Sequence, residues 1–335
     1  MNQTSWQRIW AHRGLMACLL WPISWVYGTL WSLRLTLYRW GWFGSTQLPI
    51  PVLVVGNVML GGVGKTPVVI ALVQQLGRLG WRVGVISRGH GRERSDVALL
   101  DAHSRAAEVG DEPLLIYRRT GVPVAVGNDR SQAACRLLNQ FPELNLIISD
   151  DGMQHTALAH DLALCLFDHR RIGNGWLLPA GPLREPWPLR EDQRAPTWFL
   201  SSEQPPWLEA WPIRRSLSEL AHNGHGVTFP WRQWSGPVGA LAAIAQPEVF
   251  FQSLRDGGLT PMVTEARSDH DPWGDWSPNP DLSWVCTEKD AVKIWERHPQ
   301  VWAIPLQVDL PERLVDEVSQ FLQARLSSPH GSKTL

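Results

Sequence analysis

A glycine-rich loop between an apolar strand and a helix constrains this chain most. Residues 52–55 read VLVV, residues 56–67 read GNVMLGGVGKTP, and an apolar helix is expected from Val68 to Leu79. In loops of this kind, successive backbone N–H groups turn inward on a polyphosphate at the positive end of a helix. The pattern therefore predicts a nucleoside triphosphate site in an α/β fold of the P-loop NTPase type.

The same loop supplies side chains for ATP and Mg²⁺. Lys65 is placed to reach the β- and γ-phosphate oxygens, and the Thr66 hydroxyl is placed for Mg²⁺. The strict spacing G-x-x-x-x-G-K-[ST] would put a glycine at Met59, so this loop is a variant. We assign nucleotide binding to its whole length, which is Met59, Leu60, Gly61, Gly62, Val63, Gly64, Lys65 and Thr66.

An acid pair follows a second apolar strand. The strand Leu146 to Ile148 leads into Ser149, Asp150 and Asp151. At the end of a strand, one carboxylate can hold Mg²⁺ directly or through water while the other orients it. Such a pair is often only a turn signal, but its place downstream of a phosphate loop favours a metal role for Asp150 and Asp151.

Strand and helix signals alternate along most of the chain. This order predicts a doubly wound, mostly parallel sheet with helices on both faces and a site beyond the carboxyl ends of its strands. Residues 172–234 are rich in Pro and Trp and are interpreted as substrate-facing loop and linker. A second, smaller α/β unit follows. We expect a membrane-interacting segment at 1–45, a P-loop kinase domain with substrate loops at 46–234, a C-terminal α/β domain at 235–327 and a frayed tail at 328–335.

Charge and cysteine usage exclude some classes of protein. The net charge is −1, so no global field attracts nucleic acid. The four cysteines form no C-x-x-C pair and fit small buried residues in a reducing compartment. Arginine outnumbers lysine by 27 to 4, so Lys65, Lys289 and Lys293 stand out.

The N-terminal segment has 20 uncharged residues from Gly14 to Leu33, enough for a helix across a bilayer core. A signal peptide is disfavoured because no small-x-small cleavage site follows. A spanning helix is disfavoured by polar residues in the run and by arginines on both flanks. We favour a helix in the membrane interface with tryptophans at headgroup depth, and keep a buried amphipathic helix of a soluble protein as a further alternative.

Two residues far apart in the chain form a further hypothesis. Asp111, before Glu112 and Pro113, is a good helix cap, and His270 is unremarkable in a polar loop. A carboxylate bonded to an imidazole can instead take a hydroxyl proton while the γ-phosphoryl leaves ATP. Spacing alone does not show that Asp111 and His270 meet.

Arginines are expected on the active face of the sheet. Guanidinium groups suit phosphates, whether on the nucleotide or on an anionic substrate. The arginines that directly follow predicted strands or lie in the neighbouring loops are Arg88, Arg130, Arg170, Arg171 and Arg184.

Seven segments, in chain order, resemble the tetraacyldisaccharide 4′-kinases, the lipid A 4′-kinases of Gram-negative bacteria. They are Gly56-Asn57 with Gly61 to Pro67, Ser87 to Gly91, Gly110 to Pro113, Asp150 to Gln154, Pro179 to Pro186, Asp269-His270 and Thr287 to Asp290. The resemblance implies a peripheral or monotopic enzyme on the cytoplasmic face of the inner membrane. It would move the γ-phosphate of ATP, with Mg²⁺, to the 4′-hydroxyl of tetraacyldisaccharide 1-phosphate, giving lipid IVA. No protein partner is implied.

The resemblance also implies roles for single residues. Asp111 would be the base with His270 as its partner, and Lys65 and Arg184 would lie beside the transferring phosphoryl. Thr66, Asp150 and Asp151 would hold Mg²⁺, and the residues around the phosphates and the sugar would be Asn57, Arg88, Arg130, Gln154 and Glu185. Two departures from the family pattern are His90, where a tyrosine is usual, and the absence of glycine from 243–247.

Two other nucleotide-binding classes remain as alternatives. A deviant-P-loop switch ATPase of the partitioning or metal-chaperone type shares the loop, but would carry a lysine where this chain has Leu60. A GTPase is a weaker alternative, because Thr287 to Asp290 resembles its base-reading motif with the lysine one place late.

Overall fold

Two helices precede the first strand in the computed structural model, which describes residues 3–93, 95–189, 195–203 and 207–327. Helix α1 spans Gln3–Ala11 and α2 spans Leu15–Arg39. Within the described residues, α2 alone is long and apolar enough to cross a membrane by length and composition. The expected tail at 328–335 lies outside the described residues.

The larger sheet contains the glycine-rich loop. Its unit runs β1 (Val52–Gly56), α3 (Lys65–Arg78), β2 (Val83–Ser87), β3 (Ala98–Leu99), α4 (Ala106–Val109), α5 (Asp111–Thr120), β4 (Val124–Val126), α6 (Arg130–Gln140), β5 (Leu146–Asp150), β6 (Leu162–Phe167), β7 (Thr197–Ser201) and β8 (Trp211–Pro212). Over the described ranges its strand order is β3-β4-β2-β5-β1-β6-β7-β8, with only β3 antiparallel to its neighbour. Since β1 lies between β5 and β6, the glycine-rich loop and the acid pair leave adjacent strands at one edge.

Side chains of β1 alternate between two cores. Leu53 and Val55 pack with α3 and α5 on one face, whereas Val52 and Val54 pack with α6 on the other. This alternation explains why the strand reads as a continuous apolar run, which is typical of parallel strands covered on both faces. The expected doubly wound architecture is therefore confirmed.

A second sheet forms the smaller unit. The elements that follow are β9 (Arg214–Leu217), β10 (Leu220–Asn223), β11 (Thr228–Pro230), β12 (Val238–Ala242), α7 (Pro247–Asp256), β13 (Val263–Ala266), β14 (Ser283–Thr287), α8 (Glu288–Ile294), β15 (Trp302–Ile304), β16 (Leu306–Asp309) and α9 (Glu312–Leu326). In the part of the chain described, the order is β11-β10-β15-β14-β12-β13, and β16 pairs separately with β9.

The interpretation of residues 172–234 as loop and linker was too simple, because β7 to β11 lie there. Pro212 and Pro230 obscured two of these strands in the sequence, yet β8 and β11 are edge strands, where proline is tolerated. The chain is likewise divided at Pro305, so that β15 and β16 join different sheets.

Helix α9 returns to the first unit. Leu314, Val318 and Leu322 of α9 join the core that covers α3, and the Trp81 indole N–H donates to Ser319 Oγ at 2.9 Å. The division into domains stays a prediction, and sheet membership favours Leu220 over residue 235 as the start of the second unit.

Candidate active site

A cleft of about 750 Å³ separates the carboxyl edge of the larger sheet from the smaller unit. Its polar wall comes from the glycine-rich loop and the start of α5, and its apolar wall comes from the smaller unit. Residues lining it include Lys65, Thr66, Glu112, Ile244, Phe250 and Lys289. The cleft brings both units to one cavity, so either can supply groups to a bound molecule.

The backbone of the loop requires glycine at two positions. Gly64 precedes α3 with φ 74° and Gly61 has φ 101°, both in the left-handed region that favours glycine. A Cβ on Gly62 would lie 3.2 Å from Ala245 Cβ, so the two units come close at the loop. Helix α3 therefore begins at Lys65 with its N-terminal N–H groups facing the cleft.

Met59 and Leu60, which the sequence assigns to nucleotide binding, also hold the loop against the protein, and the assignment stays a prediction. The Met59 side chain is buried in the core, and the Leu60 N–H donates to Pro182 O at 2.8 Å. Both residues are used to fasten the loop to the segment that carries Arg184.

Lys65 and Arg184 converge on Asp151. Lys65 Nζ lies 3.4 Å from Asp151 Oδ1 and donates to Asn57 Oδ1 at 3.1 Å. Arg184 Nη1 donates to both Asp151 oxygens, at 2.9 and 3.0 Å. Burial raises the pKa of Asp151, but the two cations outweigh burial and hold it below its ordinary value. Asp151 is therefore a carboxylate at neutral pH.

Gln154 extends this network behind the cleft. Its Nε2 donates to Asn57 O at 3.0 Å and to Glu185 Oε1 at 2.7 Å, and its Oε1 accepts from Arg184 Nη1 at 3.2 Å. Asn57 and Glu185 are 0% and 1% exposed. The two buried residues support Lys65 and Gln154 from behind and do not themselves face the cavity.

Asp150 has an unused acceptor. It is 1% exposed, and its Oδ1 has no hydrogen-bond partner among the described residues. Burial raises the pKa of its carboxyl to about 7. A buried oxygen without a donor fits a divalent cation, whereas the described residues contain no cluster of three His, Cys, Asp or Glu that could hold a metal alone. Mg²⁺ commonly completes such a site with phosphate and water oxygens.

Asp111 and His270, 159 residues apart in the chain, meet beside the cleft, where their neighbours Glu112 and Asp269 line it. His270 Nδ1 lies 3.1 and 3.0 Å from the two Asp111 oxygens. Gly110, and not Asp111, occupies the cap position of α5. Burial raises the pKa of Asp111, but His270 and Lys289 reverse this and place it below its ordinary value. Burial lowers the pKa of His270, and the hydrogen bond with Asp111 more than reverses that shift.

Three arginines gather near the acid pair. Arg130 is buried, and its Nη1 donates to Asn128 O at 3.3 Å. Burial lowers the pKa of Arg130, and the charges of Arg88 and Arg92 lower it further. Arg92, which no sequence pattern singled out, has three guanidinium nitrogens that are buried without partners among the described residues. Unpaired guanidinium groups in this position suit an anionic ligand.

Two further arginines hold the loop itself. Arg170 pairs with Asp168, and its Nη2 donates to Gly62 O at 2.9 Å. Arg215 Nη2 donates to Val63 O at 2.5 Å. Arg215 lies in the segment interpreted as linker, so no sequence signal pointed to it.

Asp290, the acid of the motif Thr287 to Asp290, is not free to read a base. Asp290 is 0% exposed and accepts from the Ala243 N–H at 3.1 Å, Trp273 Nε1 at 2.9 Å and Thr287 Oγ1 at 2.7 Å. Its oxygens are used inside the protein, which argues against the GTPase alternative. His90 lies nearby, with its ring centroid 4.9 Å from that of His270.

Helix α2 is fastened to the segment that carries Arg184. Ser24 Oγ donates to Leu177 O at 2.8 Å, and the Tyr27 hydroxyl donates to Arg184 O at 2.6 Å. Its other side exposes large apolar side chains, among them Leu15, Leu19, Ile23, Trp25, Val26, Leu30 and Leu33. The helix thus connects an exposed apolar surface to the segment that carries Arg184.

Comparisons with known proteins agree with one another. The family model for tetraacyldisaccharide-1-P 4′-kinase (LpxK) matches residues 16–324. A tetraacyldisaccharide 4′-kinase of Acidovorax sp. (strain JS42) is 48% identical over 326 residues, covering 96% of this chain and 95% of that protein. One of Delftia acidovorans is 44% identical over 322 residues, covering 94% of each. The crystal structure of LpxK from Aquifex aeolicus in complex with ATP is 27% identical, with TM-score 0.80, covering 94% of this chain and 100% of that one.

Proposed function

The chain belongs to the tetraacyldisaccharide 4′-kinase family, and from this we propose that Asp111 and His270 form its proton-accepting pair. It is an ATP-dependent kinase of lipid A biosynthesis that phosphorylates the 4′-hydroxyl of tetraacyldisaccharide 1-phosphate. The observation that carries the proposal is the contact of His270 Nδ1 with Asp111 at 3.0 Å, which joins the two units beside the cleft. The family match also removes the support for a switch ATPase.

ATP would lie in the cleft with its phosphates on residues Gly61 to Thr66. The positive end of α3 and the Lys65 ammonium favour this placement, as does the apolar wall opposite, which offers Ile244 and Phe250 to a base. Mg²⁺, held by Asp150, Thr66 and Asp151, would neutralise charge on the phosphates. The unpaired Asp150 Oδ1 supports this choice of ligands.

The chain's own residues accept the proton and offset the charge during phosphoryl transfer. The 4′-hydroxyl proton goes to the Asp111 carboxylate. The hydrogen bond from His270 holds that carboxylate in place. The freed oxygen bonds the γ-phosphorus as the bond from that phosphorus to the β–γ bridging oxygen breaks, and ADP leaves. Lys65 and Arg184 offset the negative charge on the transferring phosphoryl. A positioned general base contributes about 10²- to 10⁴-fold to such a step.

The anionic lipid would meet the arginines beside the acid pair. Arg88 is exposed, while Arg92 and Arg130 keep guanidinium nitrogens without partners among the described residues. Gln154, at the edge of the same network, offers polar atoms to the sugar. Asn57 and Glu185 act through Lys65 and Gln154, because they are buried.

The N-terminal helix would lie in the interface on the cytoplasmic face of the inner membrane. Ser24 and Tyr27 bond to the protein along the middle of α2, whereas its other side is apolar and exposed. A spanning helix would take these groups away from their partners and bury them in hydrocarbon, which is costly. An interfacial helix keeps the contacts and buries only the apolar side.

The direct test is incubation of purified protein with ATP, Mg²⁺ and tetraacyldisaccharide 1-phosphate. We expect a lipid with one added phosphate, and loss of that product in Asp111→Asn. The matched control is Asp281→Asn, an exposed carboxylate in the smaller unit, which should retain turnover. Full turnover by Asp111→Asn would contradict the proposed pair.

A further inference from the structure

Helix α8 places a lysine against the far side of the proposed pair. Lys289 Nζ lies 3.0 Å from Glu112 Oε1, 3.0 Å from Asp269 Oδ1 and 3.3 Å from His270 Nε2. One turn further along, Lys293 Nζ lies 3.7 Å from Asp111 Oδ2 and 3.3 Å from Asp290 Oδ1. The side chain of Lys289 is 16% exposed. Two different elements, α5 and the loop after β13, thus converge on one ammonium group.

The hydrogen-bonding chemistry of Lys289 restricts His270. An ammonium group has three donors and no acceptor, so it meets Nε2 only when that nitrogen carries no proton. A neutral imidazole with Nε2 as acceptor has its proton on Nδ1, which faces Asp111. Glu112 and Asp269 accept the other two ammonium protons. The contacts of Lys289 therefore select one tautomer of His270.

We propose that Lys289 is a positioning residue that holds His270 as the neutral Nδ1–H tautomer, leaving the Asp111 carboxylate to accept the hydroxyl proton. The inference rests on the proposed Asp111–His270 pair and adds a residue to it. Lys289 acts through His270 and through the carboxylates of Glu112 and Asp269. It reaches from the smaller unit to the first turn of α5, so it also joins the two walls of the cleft.

Several charges face this pair, and their balance sets its response to pH. Asp111 faces His270, Lys289 and Lys293, while His270 also faces Asp269 and the ring of His90. The carboxylate of Glu112 lies beside Lys289, and that of Asp290 lies behind Lys293.

The charge on Lys289 opposes protonation of both members of the pair. Burial lowers the pKa of Lys289, but Glu112, Asp111 and Asp269 more than reverse this, so Lys289 stays charged while histidine titrates. Its charge lowers the pKa of Asp111 and that of His270. Removal of that charge should let both groups keep a proton at higher pH.

The test is the pH dependence of kcat at saturating ATP and lipid. Lys289→Met should move the acidic limb to higher pH by about one unit, the size of shift expected from one charge a few ångströms away. Lys289→Arg keeps the charge, so its limb should stay near that of the wild type while kcat falls. An equal fractional loss of kcat at every pH in Lys289→Met would overturn the proposal.

Arg119→Met is the matched control for damage to the same interface. Arg119 Nη1 donates to Glu288 Oε1 at 2.6 Å, joining α5 to α8 beside Lys289. This variant should lower the melting temperature without moving the acidic limb. A limb that shifts equally in Arg119→Met and Lys289→Met would show that the interface, and not Lys289, sets the pH dependence.

A spectroscopic measurement covers the case in which Lys289→Met does not fold. In wild-type protein with ¹⁵N-labelled histidine, signals lost in His270→Gln identify His270. We expect its Nδ1 to carry the proton and its Nε2 to carry none once the pH is above the pKa of His270, which the bond with Asp111 raises from its ordinary value. A proton on Nε2 would overturn the proposal. Full turnover by Asp111→Asn and His270→Ala would instead overturn the underlying pair, so the two failures are distinguishable.

Discussion

The two walls of the cleft are built in different ways. On the phosphate wall, Lys65 and Asp151 follow the adjacent strands β1 and β5 of one sheet, so strand ends alone bring them together. On the opposite side, where the smaller unit meets α5, Asp111, His270 and Lys289 come from α5, a loop after β13 and α8. The first arrangement exists within one unit, whereas the second exists only when both units meet. Nucleotide binding should therefore survive changes that abolish proton transfer.

The charges on the two walls also differ. Near the phosphate wall, Arg92 and Arg130 keep guanidinium nitrogens without partners among the described residues, which suits an incoming anion. On the opposite wall, each lysine of α8 already faces carboxylates of the protein. One wall is prepared for ligand charge, and the other uses its charges to position Asp111 and His270.

The largest effect is expected from Lys65→Ala. Its ammonium acts on the transferring phosphoryl, so kcat should fall by about 10³-fold, or ~4 kcal/mol of transition-state stabilisation. The acidic limb of the pH–rate profile should stay in place, because Lys65 does not contact Asp111. Steady-state kinetics measured across pH distinguishes the roles of the two walls. A displaced acidic limb in Lys65→Ala would show that the two walls are not independent.

A smaller effect, on stability, is expected from Asp290→Ala. It leaves the Ala243 N–H without its buried acceptor and Lys293 without one of its two carboxylate neighbours, and loss of one member of a buried ion pair costs about 3 kcal/mol. Denaturant unfolding should detect this loss, while Asp281→Ala, at an exposed position, serves as the control. Equal stability of both variants would mean that Asp290 does not organise the α8 wall.

Asp111→Asn should alter how stability depends on pH. The pKa of Asp111 lies below its ordinary value, so its carboxylate stabilises the fold above that ordinary value and loses this effect as pH falls through the folded pKa. The variant should be less stable by about 2 kcal/mol at pH 7, the size of a hydrogen bond to a charged group. The difference should shrink below about pH 4. A difference that is constant between pH 3 and 7, measured by urea unfolding, would contradict the pairing.

The smallest effect is expected from Tyr27→Phe. Loss of the hydroxyl that donates to Arg184 O should cost about 1 kcal/mol and raise KM for the lipid modestly, without changing KM for ATP. Tyr38→Phe, in the same helix, is the matched control, since its ring packs on Phe43. If KM for ATP rose as much as KM for the lipid, the contact of Tyr27 would affect nucleotide binding as well, and the prediction would be wrong.

The phosphate wall could be predicted from sequence because its information is local. Val52 to Thr66 carries the strand, the loop and the helix start together, and Asp150 and Asp151 directly follow their own strand. What the local pattern did not show is that Met59 is packed in the core and that the Leu60 N–H bonds to Pro182. Those contacts depend on a segment more than a hundred residues away in the chain.

The opposite wall could not be derived from spacing. The pairing of Asp111 with His270 was available only as a hypothesis, strengthened by a family resemblance. Lys289 stood out only because lysine is scarce, and its motif pointed to base recognition. Arg92 and Arg215 were missed because an arginine in a loop normally faces solvent. The packing of the two units, which brings Asp111, His270 and Lys289 together, is a tertiary property that local residue patterns do not show.

A double-mutant cycle on Asp111 and His270 tests the central claim most directly. Asp111→Ala and His270→Ala should each lower kcat by about 10²-fold or more, with KM for ATP changed little. If the two act as one unit, the double variant should be hardly slower than the slower single variant. Losses of kcat that multiply fully in the double variant would show two independent residues and contradict the account.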